Sequence, residues 1–187
     1  MEEELKKAYD IVCKGGIILY PTDTIWGIGC DATNTEAVKR IYDLKQRPDS
    51  RSMLVLIDSP DYLSHYVNEL PDIALDLVTL SIKPLTIIYS GAKNVASNLI
   101  AEDGTLGIRV TCESFSQQLC RLLKKPLVST SANISGKAAP ANFSEISREI
   151  LQGVDYVVNY RQQEKQKSQA SSIIRLGEGG IVKVIRE

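Results

Sequence analysis

Apolar positions recur along this chain with two periods, one near 3.6 residues and one continuous or near 2, and the two alternate from one end to the other. Residues 2–14 set Leu5, Ala8, Ile11 and Val12 at helical spacing and run out on Gly15-Gly16, a helix followed by its stop. Ile17-Ile18-Leu19-Tyr20 is a short apolar run that reads as a buried strand. Asn34 caps a second helix whose inward positions are Ala37, Val38, Ile41, Tyr42 and the aliphatic stem of Lys45, with Pro48 as its terminator. Met53 to Ile57 is the next apolar strand, and Ser59-Pro60-Asp61 opens another helix with Ser as cap and Pro in the first turn. A helix from Asp72 to about Ser81 gives way to Lys83-Pro84-Leu85-Thr86-Ile87-Ile88-Tyr89, a strand entered through a proline.

The pattern then predicts a short helix over 94–101, a strand over 105–110, a helix over 114–124, a strand over 126–130, a helix over 144–152 and a strand over 155–160. Two strands joined by Gly177-Glu178-Gly179-Gly180 close it, the second carrying Arg186. Alternating strands and helices, mixed with hairpins, predict one α/β domain over residues 1–187: a twisted mixed sheet with flanking helices. At 187 residues the chain is long enough to bury a sizeable core, and no internal repeat or linker divides it.

Composition narrows the functional classes. With 43% hydrophobic and 24% charged residues the chain is neither disordered nor fibrous. A net charge of −1 means that any anion site must be a local concentration of cations. Four cysteines, Cys13, Cys30, Cys112 and Cys120, form no Cys-x-x-Cys pair, which argues for a reducing compartment and against a zinc site or a disulfide framework. The start, Met-Glu-Glu-Glu-Leu-Lys-Lys, is acidic where a signal peptide is basic, and no apolar run approaches the roughly 18 residues of a membrane span. A cytoplasmic protein without membrane association is expected. His65, the single histidine, lies near Leu63 and Val67 with no evident orienting partner, so it reads as a surface or half-buried ring.

Candidate chemistry concentrates at three places. Lys45-Gln-Arg-Pro-Asp-Ser-Arg51 carries three permanent cations in seven residues. The Arg47 fork and the Lys45 point charge together suit a polyphosphate, unless the run is only a solvated helix end. At a helix C-terminus the macrodipole adds nothing for an anion, so side chains would hold any phosphate. Pro21-Thr22-Asp23-Thr24-Ile25-Trp26-Gly27-Ile28-Gly29 reads either as a backbone-lined binding loop or as a turn capped by Thr22 and Asp23. Ser129-Thr-Ser131-Ala-Asn133-Ile-Ser135-Gly136 leaves the C-terminal end of a strand, where open α/β sheets bind ligands. Arg109, inside a short apolar strand, is costly unless it faces a cleft or partner. Residues 161–170 read as a mobile loop, and Arg161, Lys165 and Lys167 give it cations to close over phosphates as a lid. Neither a Walker loop nor Gly-x-Gly-x-x-Gly occurs.

Pro21-Thr22-Asp23-Thr24, Lys45-Gln-Arg47-Pro48 and Ser129-Thr-Ser131-Ala-Asn133 with Ser135-Gly136-Lys137, in this order and spacing, resemble the YrdC/TsaC family, related to YciO, from about residue 10 to residue 187. The resemblance implies a sheet curved into a concave, positively charged cleft. It also implies synthesis of L-threonylcarbamoyl-AMP and pyrophosphate from L-threonine, bicarbonate and ATP, with Mg²⁺ accompanying ATP, for threonylcarbamoyladenosine in tRNA. Partners implied are RNA or tRNA and downstream threonylcarbamoyl-transferase proteins. By position Thr24, Arg109, Ser129 and Ser171 resemble the threonine side, with Arg109 pairing to the carboxylate. Lys45, Arg47, Thr105, Ser131, Asn133 and Arg186 resemble the ATP side, and Lys45, Arg47, Ser131 and Asn133 are the catalytic candidates; no metal ligand is among them.

Several positions depart from the family pattern. Trp26 stands where tyrosine is usual, Ile82-Lys83-Pro84 replaces Pro-Gly-Pro, Leu56 replaces a histidine of longer relatives, and Arg51 falls where an uncharged residue is usual. No second domain of the kind longer relatives carry is expected, nor the acylphosphatase and zinc-finger modules of the HypF carbamoyltransferases, so that role is not expected either. An alternative of another class is a non-catalytic module for structured RNA of the YciO type, concerned with ribosome maturation. The complete Ser131-Ala132-Asn133 favours the enzyme.

Overall fold

In the computed structural model, residues 1–47, 53–165 and 170–187 are described. Among these residues six α-helices and nine strands follow one another: α1 (Glu2–Cys13), β1 (Ile18–Tyr20), β2 (Gly27–Gly29), α2 (Thr35–Lys45), β3 (Leu54–Ile57), α3 (Leu63–Tyr66), α4 (Ile73–Leu80), β4 (Leu85–Tyr89), β5 (Leu106–Val110), α5 (Ser114–Leu123), β6 (Leu127–Ser131), α6 (Arg148–Gly153), β7 (Tyr156–Val157), β8 (Ser172–Leu176) and β9 (Val182–Arg186). One mixed sheet in the order β7-β1-β2-β6-β3-β5-β4-β8-β9 carries them. β1/β7, β3/β5 and β4/β8 are parallel; the other neighbours are antiparallel.

Local chemistry sets the helix ends. Glu2, Glu3 and Glu4 place negative charge on the first turn of α1, where the macrodipole favours it. The Asn34 side chain accepts the Ala37 N–H at the start of α2. At the other end Gln46 turns left-handed (φ 49°), its N–H donating to Asp43 O and the Arg47 N–H to Tyr42 O, the paired bonds of a Schellman turn. The proposed terminator Pro48 lies outside the described residues, as do Arg51 and Lys167. α5 is capped by the Glu113 carboxylate, which accepts the Ser116 N–H at 2.8 Å.

Several elements differ from expectation. Gly27–Gly29 was expected in a loop and is instead an interior strand between β1 and β6. Residues 94–101 hold only a 3₁₀ turn, Ser97–Leu99, because Asn94 is left-handed and the Ala96 N–H leaves the segment to bond Ala32 O. The helix opened by Ser59 is a 3₁₀ turn, Pro60–Tyr62, running into α3. The helix over 144–152 divides into a 3₁₀ turn, Phe143–Glu145, and α6, since Ile146 is extended and Ser147 begins a new cap. β7 stops after Val157, and the Asn159 N–H is taken by Glu4 Oε2 at 2.7 Å.

The two faces of the sheet are covered unequally. On one, α2, α6 and their neighbours bury Val38, Ile41, Tyr42 and Ile150 against Leu19, Val55 and Ile57. On the other, α1 and α5 bury Leu5, Ala8, Phe115 and Leu119 against Ile18, Tyr20, Leu56 and Leu127. Side chains alternate across a strand, so Leu54 shares the face of Leu56 and Ser129 that of Leu127. The β3/β6 register sets Leu56 beside Leu127 and Leu54 beside Ser129. Along these strands the face therefore passes from an apolar part under α1 and α5 to a hydroxyl-bearing part. β2 can lie close to β6 only without a side chain at Gly29: a Cβ there would sit 2.3 Å from Val128 O and 2.7 Å from Tyr20 Cε1. The Tyr20 ring cannot yield, because its hydroxyl donates to the same Val128 O at 3.0 Å. Gly29→Ala is accordingly expected to destabilise the fold by about 1–3 kcal/mol in urea denaturation.

Candidate active site

The uncovered part of that face is a cavity of about 250 Å³. Its floor comes from alternate residues of adjacent strands: Gly27 on β2, Ser129 and Ser131 on β6, Leu54 on β3, Gly107 and Arg109 on β5, and Thr86 and Ile88 on β4. Thr24, Trp26, Arg47, Ser171 and Arg186 complete its walls. Three arginines line it, and among the described residues no carboxylate does.

All four residues assigned to the threonine side, Thr24, Arg109, Ser129 and Ser171, meet here, together with Arg47, Ser131 and Arg186 from the ATP side. Arg109 is 3% exposed. Its Nη1 donates to Thr24 Oγ1 at 3.2 Å, and its Nη2 lies 3.2 Å from Asp23 Oδ1 as an ion pair without hydrogen-bond geometry. Burial, with repulsion from Arg186, lowers the Arg109 pKa from its ordinary value, and Asp23 opposes that shift. The Asp23 carboxyl is raised by burial and by Glu113, with Arg109 pulling it down. Thr22 Oγ1 accepts the Thr24 N–H at 3.0 Å and donates to Ile25 O at 2.7 Å, which fixes the loop that presents Thr24. Ser171 Oγ shares a hydrogen bond with Thr86 Oγ1 at 2.8 Å, and its carbonyl accepts two bonds from Arg186, at 2.9 and 2.7 Å.

Lys45 departs from the reading as a mobile point charge for phosphate. It is 1% exposed and does not line the cavity. Its ammonium donates to Ser131 O and, at 2.7 Å, to Asn133 O, while its own carbonyl accepts the Ser135 N–H at 2.8 Å. Asn133 also lies outside the lining, its amide donating to Ile134 O and Lys137 O. Thr105 precedes β5, outside the lining, with its hydroxyl on Asp103 at 2.6 Å. Among the described residues, Arg109 Nε in the cavity floor, the neighbouring Asp23 Oδ1, and Asn133 Oδ1 and Ser135 Oγ in the turn after β6 are buried without a hydrogen bond.

Asp23, Thr86, Glu113 and Arg161 have site contacts that sequence reasoning did not assign. Asp23 stood within the quoted Thr-Asp-Thr run and Arg161 was expected only as a lid cation over phosphates; no signal linked Thr86 or Glu113 to the site. Arg161 does not extend over the cavity: its guanidinium binds Glu164, Glu113 and Thr22 O. His65 is exposed and sits edge-on to Tyr66. The four cysteines are free. Among the described residues no three His, Cys, Asp or Glu side chains are placed to hold a metal ion. Magnesium takes oxygen ligands and favours carboxylates, whereas this cavity offers arginines and hydroxyls, so the residues do not fit a protein-held Mg²⁺.

The sequence profile of the Sua5/YciO/YrdC family, described as telomere recombination, matches residues 10–187. The chain belongs to the Sua5/YciO/YrdC family. A threonylcarbamoyl-AMP synthase of Pseudoalteromonas translucida is 33% identical over 164 residues, covering 85% of this chain and 88% of the relative. E. coli YciO matches in structure with a TM-score of 0.85 at 28% identity, over all of this chain and 90% of that one. P. abyssi Sua5 complexed with L-threonine shares the fold, with a TM-score of 0.87 at 24% identity. Against that structure this family member spans about half the length, 54%. The synthase names of curated relatives do not favour the RNA-binding alternative. Among the described residues no helix is long and apolar enough to cross a membrane.

Burial of Lys45, with repulsion from Arg47, presses its ammonium from 10.5 down to about 7, and the two carbonyls it donates to oppose that shift. Between these values the unfolded chain binds more protons than the folded one, so stability rises with pH across the window. In denaturation from pH 7 to pH 10, the wild type is expected to gain stability relative to Lys45→Met; parallel curves would refute the buried, pH-sensitive ammonium.

Proposed function

We propose that this chain is an L-threonylcarbamoyladenylate synthase. The observation that carries the reading is the convergence of Arg47, Arg109 and Arg186, from three distant parts of the chain, on one cavity rimmed by the hydroxyls of Thr24, Ser129, Ser131 and Ser171. The synthase names of relatives and the threonine complex of P. abyssi Sua5 support it.

The substrates are L-threonine, bicarbonate and ATP, with Mg²⁺ entering as part of the ATP complex. The ammonium of threonine gives one proton to the bicarbonate hydroxyl, which leaves as water, and the free amine adds to the resulting carbon dioxide, forming the N–C bond of a carbamate and releasing its second proton to solvent. A carbamate oxygen then attacks the α-phosphorus in line, the new O–P bond forms, and the bond to the β-phosphate oxygen breaks to release pyrophosphate. Such a step asks mainly for two anions to be held together and for charge on the phosphoryl oxygens to be met by fixed cations. Arg109, with Thr24, receives the threonine carboxylate. Arg47 and Arg186 meet the phosphates. Lys45 and Asn133 act from behind the lining, Lys45 holding the Ser131 and Asn133 carbonyls so that Ser131 faces the ligand. Thr105 acts through the entry to β5. The product passes to a protein that transfers the threonylcarbamoyl group to tRNA.

Purified protein supplied with L-threonine, bicarbonate, ATP and Mg²⁺ is expected to release pyrophosphate in a threonine-dependent way; release indifferent to threonine refutes the assignment. Arg47→Ala should lower turnover about 10²–10³-fold, as loss of one fixed donor to developing charge does. Circular dichroism checks that the fold is kept. Near-normal turnover in that variant would remove Arg47 from the phosphate site.

A further inference from the structure

Arg161 does not line the cavity, yet its backbone sits at φ 61°, in the left-handed region that a non-glycine residue occupies at a steric cost. Its guanidinium is committed on three sides. Nε and Nη2 donate to the two oxygens of Glu164 at 2.8 Å each. Nη1 donates to Thr22 O at 3.2 Å and lies 3.3 Å from Glu113 Oε1. Glu164 is exposed, but the Glu113 side chain is only 8% exposed and its other oxygen caps α5 through the Ser116 N–H. The preceding residue, Tyr160, stacks on Phe115 of α5 with ring centroids 5.9 Å apart. The segment is thus tied to α5 by a ring and to the Thr22 loop by a guanidinium.

From Thr22 the contacts run directly into the site. The Thr22 carbonyl is held by Arg161 and its hydroxyl sets the Thr24 N–H; Thr24 Oγ1 accepts from Arg109, whose Nη2 faces Asp23. Without Arg161, Thr22 O loses a charged donor, and the nearly buried Glu113 carboxylate stands uncompensated near Asp23. An unpaired buried charge is costly and is relieved by movement or hydration. Movement here shifts the loop that carries Asp23 and Thr24.

We infer that Arg161 is a positioning residue: it holds residues 22–24 in register with Arg109 and thereby sets the affinity for the carboxylate that Arg109 and Thr24 receive. The identity of that ligand as threonine rests on the function proposed above; the control of the loop does not.

Two measurements separate them. In steady-state pyrophosphate release, Arg161→Gly, which needs no strained φ, should raise KM for L-threonine about tenfold or more, the scale of one lost charged hydrogen bond. KM for ATP and kcat should stay within about twofold, because the donors at the phosphates are untouched. Arg161→Lys, keeping the charge but not the fork, should recover part of the loss. Glu164→Gln, at the exposed partner, should change little. Equal rises in both KM values, or an unchanged threonine KM, would overturn the inference, because a general structural role moves both and no role moves neither. Independently of activity, amide hydrogen exchange of Thr24 should accelerate in Arg161→Gly while the amides of 127–131 do not; unchanged protection at Thr24 overturns it as well. If the wild type shows no threonine dependence, the proposed function fails and the exchange measurement still decides the role of Arg161.

Discussion

The arrangement depends on one buried ammonium. Taking a charge out of water costs several kcal/mol unless it is paired or hydrogen-bonded. Lys45 offsets part of that cost with the carbonyls of Ser131 and Asn133, two peptides of the turn leaving β6. The return bond from the Ser135 N–H to Lys45 O closes the link. The end of α2 and the exit of β6 therefore form one unit. Because Gln46 then turns left-handed, Lys45 points into the protein and Arg47 reaches the cavity wall. A Lys-x-Arg spacing thus delivers two cations to two different places, one into the fold and one to the cavity wall.

The cavity exists because helices cover only part of a sheet face. α1 and α5 bury Leu56, Leu127, Ile18 and Tyr20, and one pleat further along the same strands the side chains become Leu54, Ser129 and Ser131. β5 shows the same change within one residue pair, since Arg109 is the register partner of apolar Leu56. A guanidinium beside that core is sustained by Asp23, and Asp23 in turn lies under the influence of Glu113 and its partner Arg161. The charges run Arg161, Glu113, Asp23 and Arg109, an arginine at each end and two mutually repelling carboxylates between, which links the outer Arg161 to the cavity-lining Arg109.

Much of the fold was legible because it follows from local periodicity. The spacing of Leu5, Ala8 and Val12, the Asn34 cap and the apolar runs of β1, β3 and β4 each express a rule acting within a few residues. Where tertiary pairing competed, the reading failed. Gly27–Gly29 sets two glycines, weak strand formers, around Ile28, and it pairs because Val128 and Tyr20 leave no room for a side chain at Gly29. Residues 94–101 have helical spacing, yet Ala32 takes the Ala96 N–H. The 155–160 run is shortened because Glu4 takes the Asn159 N–H.

By itself the sequence determined the alternation of elements, the one-domain mixed sheet and the three polar clusters whose order marks the family. It could name Arg47, Arg109, Ser129 and Ser131 as candidates because charges and hydroxyls at strand and helix ends are conspicuous against an apolar pattern. Only the tertiary structure decided which of them face the cavity. That choice rests on partners 86 residues away for Lys45, 85 for Arg109 and 139 for Arg161. No local rule specifies where a side chain will find a carbonyl on another strand, and a buried charge settles where its hydrogen bonds are met.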